Sequence, residues 1–254
     1  LSEPAYGSNP AGMETTALKI DGQYVLNGKK MWITNGTIAD LALIWAKLDG
    51  EIRGFLVETA TSGFRANSIK RKFSYRTSPT AFIDLKNCKI SESDILPAAK
   101  GLKAVFQCLN HARYGVACGA VGSSIACYQA ARDFAVERRV FDRPVGSYQL
   151  VQDHLARMLI EITKGQLVNL HLGRLLDEKR ARPPQISLAK LNNVREAIKI
   201  ARMARDILGA RGILADHHVI RHLCDLEAVS TLEGTAGMHT LVLGKEITGI
   251  SAFV

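Results

Sequence analysis

Residues 16–26 read TALKIDGQYVL, two short apolar runs joined by the turn dipeptide Asp21-Gly22. A second such dipeptide, Asn27-Gly28, comes before another strand-like run at 29–34. Asp-Gly and Asn-Gly suit tight turns with positive φ, so the pattern predicts antiparallel hairpins. Further strands are predicted at 41–46, 53–57 and 81–85, with turns at Asp49-Gly50 and Lys86-Asn87. Residues 1–100 are therefore predicted to form an antiparallel β-barrel or sandwich domain.

The hydrophobic period changes from two to about three and a half after Pro97. Helices are predicted at 101–137, 149–177 and 185–208, and shorter ones after 216 and after 236. Pro183-Pro184 precede the third helix and Gly209 ends it. In the helix 149–177, the apolar face is predicted to carry Leu155, Leu159, Ile162, Gln166 and Leu170, with Met158, Leu167, His171 and Leu175 beside them. Residues 101–254 thus form a predicted helical bundle, and the fold class is α+β.

Composition narrows the functional classes. The 254 residues are 47% hydrophobic and 22% charged, which excludes disordered and fibrous chains. No apolar run is long enough for a membrane span, and five scattered cysteines without a C-x-x-C pair indicate a reducing compartment. The net charge is +9, but basic residues are spread along the chain and mixed with acids, apart from the cluster Lys70-Arg71-Lys72. This disfavours nucleic-acid binding and leaves a small polyanion, such as a diphosphate, as the use for the charge.

Two short motifs offer candidate chemistry. Glu233 lies beside Gly234 in a break between two helical patterns, where apolar neighbours would raise its proton affinity and suit it to act as a general base. The alternative is a surface glutamate that caps the next helix. Trp32 and Thr34 close a strand and could hold a heteroaromatic ring, although a tryptophan in the core of the barrel fits the pattern equally well.

Two other motifs carry weaker signals. The glycines of Gly209-Ala210-Arg211-Gly212 could approach a phosphate, but a helix C-cap explains them at least as well. The histidines at 217, 218 and 222 lack an H-E-x-x-H pattern and an acidic third ligand, so no metal site is predicted. No serine lies in a G-x-S-x-G motif, which removes support for a serine hydrolase.

The order of the motifs along the whole chain resembles the acyl-CoA dehydrogenase superfamily, and within it the glutaryl-CoA dehydrogenase branch. The resemblance is carried by LSEP with Gly7-Ser8, LNGKKMWITN at 26–35, CLNHARYG at 108–115, ERRVF at 137–141, ARDILG at 204–209, HVIRH at 218–222, LEAV at 226–229, EGT at 233–235 and ITGI at 247–250. Departures include Leu232 where the family has tyrosine, Ala210 in place of a glycine, Asp142 in place of a glycine, and the stretch 236–239.

The resemblance implies a flavoenzyme with an N-terminal helical domain, a middle β-domain and a C-terminal bundle, assembled as a tetramer. Because the chain starts at Leu1 without a methionine, we expect the N-terminal domain to lie upstream. In the glutaryl-CoA branch that domain supplies an arginine for the distal carboxylate of the substrate. Whether the reaction includes decarboxylation to crotonyl-CoA is therefore left open.

The resemblance also assigns roles to residues of this chain. Glu233 would be the catalytic base that removes the α-proton while a hydride leaves the β-carbon for FAD. The implied FAD contacts are Ser2, Ser8, Trp32, Ile33, Thr34, Arg138, Phe141, Gln149, Asp206, Ile207, Leu208, Gly209, Ala210, Thr235 and Phe253. The implied acyl-CoA contacts are Ser8, Phe106, Gln107, Cys108, Leu109, Asn110, His111, Ala112, Arg113 and Gly234.

The implied electron acceptor is electron-transferring flavoprotein, and the implied location is the mitochondrial matrix in a eukaryote or the cytoplasm in a bacterium. Two alternatives stay open. A short-chain acyl-CoA oxidase shares the scaffold, although the C-terminal residues 251–254 lack a peroxisomal address. A catalytically weak relative could instead serve as a binding module, with the basic charge directed to DNA.

Overall fold

The computed structural model of the chain describes residues 1–253, which fall into one unit up to Cys108 and a second from Leu109 onward. The first unit is built on a single seven-stranded sheet in the order β5-β6-β2-β1-β3-β4-β7. Its strands are β1 Thr16–Ile20, β2 Gln23–Thr34, β3 Leu41–Leu48, β4 Glu51–Glu58, β5 Phe64–Ser68, β6 Thr80–Ser91 and β7 Ile95–Lys100. The predicted strands are all present, and β5 and β7 were not predicted.

The sheet encloses a core of alternating apolar side chains. Leu26, Phe55 and Ile83 are fully buried, and Tyr24 meets the edge of the Phe55 ring at a centroid distance of 5.3 Å. All neighbouring strands pair antiparallel except β1 and β3, which run parallel, so the sheet is mixed. The predicted α+β class, with a β-domain before a helical domain, is confirmed.

Two predicted turns are wrong. Asn27-Gly28 and Lys86-Asn87 lie inside the long paired strands β2 and β6, where the register shifts between Leu26 and Gly28. The Asn87 backbone N–H donates to Asn27 Oδ1 at 2.8 Å, so the two segments face each other across a β-bulge. A bulge accommodates the same turn-forming residues because it also needs positive φ in the chain. Gly28 has φ +150°, and a Cβ there would lie 2.4 Å from Thr15 Oγ1.

A second bulge turns Trp32 outward. The register of β2 and β6 shifts again between Lys30 and Ile33, and Trp32 adopts a left-handed φ of 65°. The indole is consequently 57% exposed, while Lys30 nearby is completely buried. This excludes the alternative interpretation of Trp32 as a core residue.

A buried ion pair fastens the N-terminal segment to β2. Lys30 Nζ donates to Glu3 Oε1 at 2.8 Å, and the Glu3 carboxylate also accepts from the backbone N–H groups of Glu14 and Thr15 and from the Thr15 hydroxyl. Burial opposes the charge on Glu3, but these hydrogen bonds outweigh it and hold the pKa of the carboxyl below its ordinary value. Lys30 Nζ also donates to the Leu1 carbonyl at 3.2 Å. The segment containing Ser2 is therefore fixed to the strand that carries Trp32.

We predict that Glu3→Gln destabilises the first unit by about 3 kcal/mol, because it leaves the Lys30 charge buried without a carboxylate. Urea unfolding measures the loss. Lys19→Met is the matched control, since it removes an ion pair with Glu92 whose side chains are about half exposed, and we expect no measurable change. Equal losses in the two variants would contradict this account of the Glu3–Lys30 pair.

The second unit is helical. Its elements are α1 Gly101–Glu137, which begins before the boundary at Cys108, then α2 Gln149–Asp177, α3 Pro183–Leu208, α4 Val219–Thr231 and α5 Ala236–Thr248, with the short strands β8 Arg139–Val140 and β9 Arg143–Pro144 between α1 and α2. The predicted helices are confirmed. α3 begins two residues earlier than predicted, because Pro183 and Pro184 occupy its first turn, where a missing N–H costs nothing. Gly209 is its C-cap, as the alternative interpretation of that glycine required.

α3 is the central helix and contacts α2, α4 and α5. Side chains from α1 to α4 share one core, including Cys127, Met158, Ile200 and Leu226. None of the helices in residues 1–253 is long and apolar enough to cross a membrane.

The predicted apolar face of α2 is only partly buried. Met158, Ile162, Gly165, Asn169 and Leu172 are the buried residues of α2. Leu159 and Leu170, which belong to the predicted apolar face, are about half exposed, and so is Leu167. Gln166 is exposed as well. The apolar residues of α2 are too many for one face of a helix, so the bundle buries one stripe and leaves a second stripe in contact with solvent.

Candidate functional site

Glu233 lies in the four-residue turn between α4 and α5, in an unusual backbone conformation. Its φ is 57° and that of Gly234 is 102°, two consecutive residues with positive φ. The left-handed region costs a non-glycine residue roughly 1 kcal/mol or more, so the surrounding structure must hold Glu233 there. The cap of α5 is Thr235, whose Oγ1 accepts from the Met238 N–H at 3.2 Å. Glu233 is therefore not the helix cap of the alternative interpretation.

Two cations from different helices hold the backbone of this turn. Arg113, on α1, donates from Nε to the Glu233 carbonyl at 2.7 Å. Lys190, on α3, donates from Nζ to the Gly234 carbonyl at 2.8 Å. Arg113 is itself oriented by Asn110, whose Oδ1 accepts from Nη1 at 3.2 Å. Both carbonyls beside the candidate base thus have a charged donor.

The Glu233 carboxyl has the properties of a general base. Burial raises its pKa above the ordinary value, and the positive charges of Arg113 and Lys190 act in the opposite direction. Its buried Oε2 has no hydrogen-bond partner within residues 1–253. A half-buried carboxyl with a raised pKa and an oxygen free of hydrogen bonds within residues 1–253 is suited to accept a proton as a general base.

Lys190 and His239 are buried titratable residues beside this turn, and each is only 2% exposed. Burial, with Arg113 nearby, lowers the pKa of Lys190 to about 8. Burial lowers the pKa of His239 to about 4, helped by Lys190 and Arg113 and opposed by backbone hydrogen bonds with Glu233 and Gly234. His239 is therefore neutral at physiological pH, whereas Lys190 keeps most of its charge.

Sequence reasoning missed the part that Lys190 and His239 play. A signal for Lys190 was available, because it continues the buried stripe of α3 formed by Ile186, Val194 and Ala197. A lysine on an otherwise apolar stripe points to a specific partner inside the protein. His239 lies in the stretch 236–239, which departs from the family pattern.

Within the first unit, the predicted flavin contacts Ser2 and Trp32 lie close together. The Ser2 carbonyl accepts a hydrogen bond from the Met31 N–H at 2.9 Å. Ile33 is half-buried and Thr34 is exposed at the end of β2. Ser8 is exposed in the segment before β1.

Within the second unit, Arg138, Phe141 and Gln149 lie exposed around the β8–β9 hairpin. The turn of this hairpin is Phe141-Asp142, both with positive φ, and the Phe141 ring is 88% exposed. Asp206 and Ala210 are exposed at the end of α3 with Gly209 between them, but the side chains of Ile207 and Leu208 are buried in the core. These two residues can therefore offer a ligand only their backbone. Phe253 lies in a groove with Pro183 and Lys245.

The predicted acyl-CoA segment forms part of α1. Phe106, Gln107, Cys108, His111 and Ala112 are exposed, whereas Leu109, Asn110 and Arg113 are half-buried. Arg113 and Asn110 are the members that reach the Glu233 turn.

Of the other candidates, His218 and His222 are joined by a backbone hydrogen bond at the start of α4, and residues 1–253 contain no group of three His, Cys, Asp or Glu side chains able to hold a metal.

Comparison with known proteins gives the family. Residues 1–88 match the family model of the acyl-CoA dehydrogenase middle domain, and residues 99–248 match that of the acyl-CoA dehydrogenase C-terminal domain. The chain belongs to the acyl-CoA dehydrogenase family.

Individual members of the acyl-CoA dehydrogenase family are similar to nearly the whole chain. Glutaryl-CoA dehydrogenase of Desulfococcus multivorans is 30% identical, covering 98% of this chain and 66% of that protein. Mitochondrial isovaleryl-CoA dehydrogenase of Arabidopsis thaliana is 30% identical, covering 97% and 62%. The crystal structure of a Mycobacterium smegmatis glutaryl-CoA dehydrogenase in complex with FADH2 is 50% identical, with a TM-score of 0.99, covering 100% and 66%. The chain thus spans less than two thirds of the length of these relatives.

In this member of the acyl-CoA dehydrogenase family, we predict that His239 makes folding sensitive to acid. The folded protein binds a proton on His239 more weakly than the unfolded chain, so protonation favours unfolding. The free energy of unfolding should fall by up to about 3 kcal/mol as pH drops from 6.5 to about 4. Urea unfolding at several pH values should show a flatter profile for His239→Gln. The exposed His171→Gln on α2 is the control and should keep the wild-type slope; an unchanged slope in His239→Gln would contradict the prediction.

We also predict that Gly234→Ala destabilises the protein by about 1–3 kcal/mol. A Cβ at this position would have a φ of +102° and would lie 2.9 Å from Nε2 of the buried His239 ring. Gly237→Ala, inside α5, is the control, because the nearest atom to its Cβ is 3.7 Å away. Thermal unfolding should show no loss for the control and a clear loss for Gly234→Ala; the reverse order would refute the account of the turn.

Proposed function

We propose that the protein is an FAD-dependent acyl-CoA dehydrogenase in which Glu233 removes the α-proton of the thioester. The observation that carries the proposal is the Glu233 carboxyl itself, with its raised pKa and a buried oxygen that lacks a partner within residues 1–253. The family match supports the same chemistry.

Glu233 would act by accepting the α-proton of the thioester. The α-proton of a thioester is only weakly acidic, so the carboxylate must take it as a β-hydride leaves. FAD, when bound, accepts that hydride and its electron pair. The proton ends on Glu233, and burial favours this neutral carboxyl. The backbone N–H of Glu233 is the proposed donor to the thioester oxygen, where negative charge develops.

In each unit, taken separately, exposed residues would contact the cofactor. Trp32 and Phe141 fit this role, because both offer large rings to solvent from backbone conformations with positive φ that the fold maintains at a cost. Ser2, Thr34, Arg138, Gln149 and the exposed polar positions at the end of α3 would supply hydrogen bonds and charge for the rest of FAD. The basic balance of the chain favours its diphosphate.

We further propose glutaryl-CoA as the substrate, with decarboxylation to crotonyl-CoA as the finer possibility to be tested. The support is the 50% identity to a Mycobacterium smegmatis glutaryl-CoA dehydrogenase. The polar members of the 106–113 segment, with Ser8 and Gly234, would contact the acyl-CoA. We propose middle and C-terminal domains at 1–100 and 101–254.

The partners and location are proposals of the same kind. Electrons would pass to electron-transferring flavoprotein, in the mitochondrial matrix of a eukaryote or the bacterial cytoplasm. A homotetramer is supported by the second apolar stripe of α2, which includes Leu159, Leu167 and Leu170.

The experiment is anaerobic mixing of the full-length holoenzyme with glutaryl-CoA, followed by the flavin spectrum. We predict that Glu233→Gln keeps its bound FAD but loses bleaching by about a thousand-fold or more, because no carboxylate remains to take the proton. Glu227→Gln on α4, an exposed carboxylate, is the control and should bleach normally.

Three results would count against the proposal. Retained bleaching in Glu233→Gln would place the base elsewhere, and a purified full-length protein without flavin would favour the binding-module alternative. Peroxide formation in air at the rate of turnover would indicate an oxidase.

A further inference from the structure

Two cations from two different helices hold the turn at Glu233. Its two successive carbonyls, those of Glu233 and Gly234, accept from Arg113 and Lys190 respectively. These cations come from α1 and α3, far apart in sequence from residue 233 and from each other. Several of the ion pairs instead join neighbours along one helix, such as Lys199 with Glu196.

Burial desolvates the Lys190 ammonium, and its hydrogen bonds within residues 1–253 go to carbonyls and not to a carboxylate. The other fully buried lysine, Lys30, is paired with the Glu3 carboxylate at 2.8 Å. Lys190 instead donates to two backbone carbonyls, those of Gly234 at 2.8 Å and Ser230 at 3.5 Å. A buried ammonium bound only to carbonyls is destabilising compared with an apolar side chain of similar size. Its presence therefore calls for a role in the site rather than in stability.

We infer that Arg113 and Lys190 are positioning residues, a two-cation clamp that holds Glu233 in its left-handed conformation and favours its ionised form. The inference rests on the proposed function, because it takes Glu233 as the base. Lys190 need not touch the substrate, and the hydrogen bond from Arg113 to the turn is separate from the contact with acyl-CoA proposed for Arg113 above. The hydrogen bonds fix the backbone from which the carboxyl projects, and the charges act on the carboxylate through the low-dielectric interior.

The remaining titratable group beside the turn does not cancel this effect. The elements packed around it contribute Arg113 from α1, Lys190 from α3 and His239 from α5. His239 is neutral because burial and the two cations lower its pKa to about 4. Arg113 and Lys190 thus both place a positive charge beside the Glu233 carboxyl below pH about 8, and of these two only Arg113 does so above it, because the pKa of Lys190 is about 8.

This clamp gives an expected effect that a structural role alone would not give. Lys190→Met keeps the length of the side chain and removes its charge and hydrogen bonds. We expect kcat with glutaryl-CoA to fall about ten- to hundred-fold at neutral pH, with little change in KM or in bound FAD. The loss should grow as pH falls, by about three-fold or more between pH 8.5 and pH 6.5, because the carboxyl takes up a proton at higher pH without the lysine charge.

Arg113→Lys separates position from charge and serves if Lys190→Met does not fold. It keeps the positive charge but loses the directed Nε–H bond to the Glu233 carbonyl. We expect a lower kcat by the same factor at every pH. The controls are Lys199→Met on α3 and Arg132→Lys on α1, both exposed, which should retain the wild-type rate and pH profile.

The readout is kcat against pH for the full-length holoenzyme, with circular dichroism to check folding. A Lys190→Met enzyme with the wild-type kcat, or with a loss that does not depend on pH, would overturn the inference. So would Arg113→Lys with an unchanged kcat. If the Lys190 and Arg113 variants give these contradicting results while Glu233→Gln is inactive, only the inference about the clamp is wrong. If Glu233→Gln is active, the proposed function itself is wrong.

Discussion

Two hydrogen bonds from the cations Arg113 and Lys190 to adjacent carbonyls determine where the candidate base of this protein lies. The turn between α4 and α5 contains two residues with positive φ, and only one of them is glycine. Arg113 and Lys190 bind the carbonyls of this turn from positions far away in the sequence. The packing of α1 and α3 therefore fixes the position of the Glu233 carboxyl group. The helices of the second unit, with α3 at their centre, hold this turn in place.

The first unit uses a related device for a different purpose. The buried pair of Glu3 and Lys30 ties an irregular segment to β2, and a bulge in the same strand turns Trp32 to solvent. In both units a buried charge organises backbone that has no regular secondary structure of its own. The difference is that Lys30 has a carboxylate partner and Lys190 does not, which agrees with a stabilising role for one and a functional role for the other.

Much of the fold could be predicted from the sequence, because hydrophobic period and turn residues are local signals. These signals predicted the bounds of helices α1 to α3 to within two residues and the positions of the main strands along the sequence. They failed at Asn27-Gly28 and at the outer face of α2, since a bulge uses the same residues as a turn and a second apolar stripe looks like a core stripe. Glu233 could be found from its motif. The contacts of Lys190 and Arg113 with that turn could not, because they join positions 40 to 120 residues apart whose pairing only the packing of helices decides.

The clamp also couples catalysis to packing in a way that helix content does not reveal. Arg113, Lys190 and His239 reach the turn from three helices, so a small separation of any one of them would relax the backbone of Glu233 before the helices themselves unwind. A chain with loosened tertiary packing would then still contain its helices but would lack a correctly placed base. Such a form would be inert toward thioesters, and enzymatic activity would be a finer gauge of native packing than any measure of secondary structure.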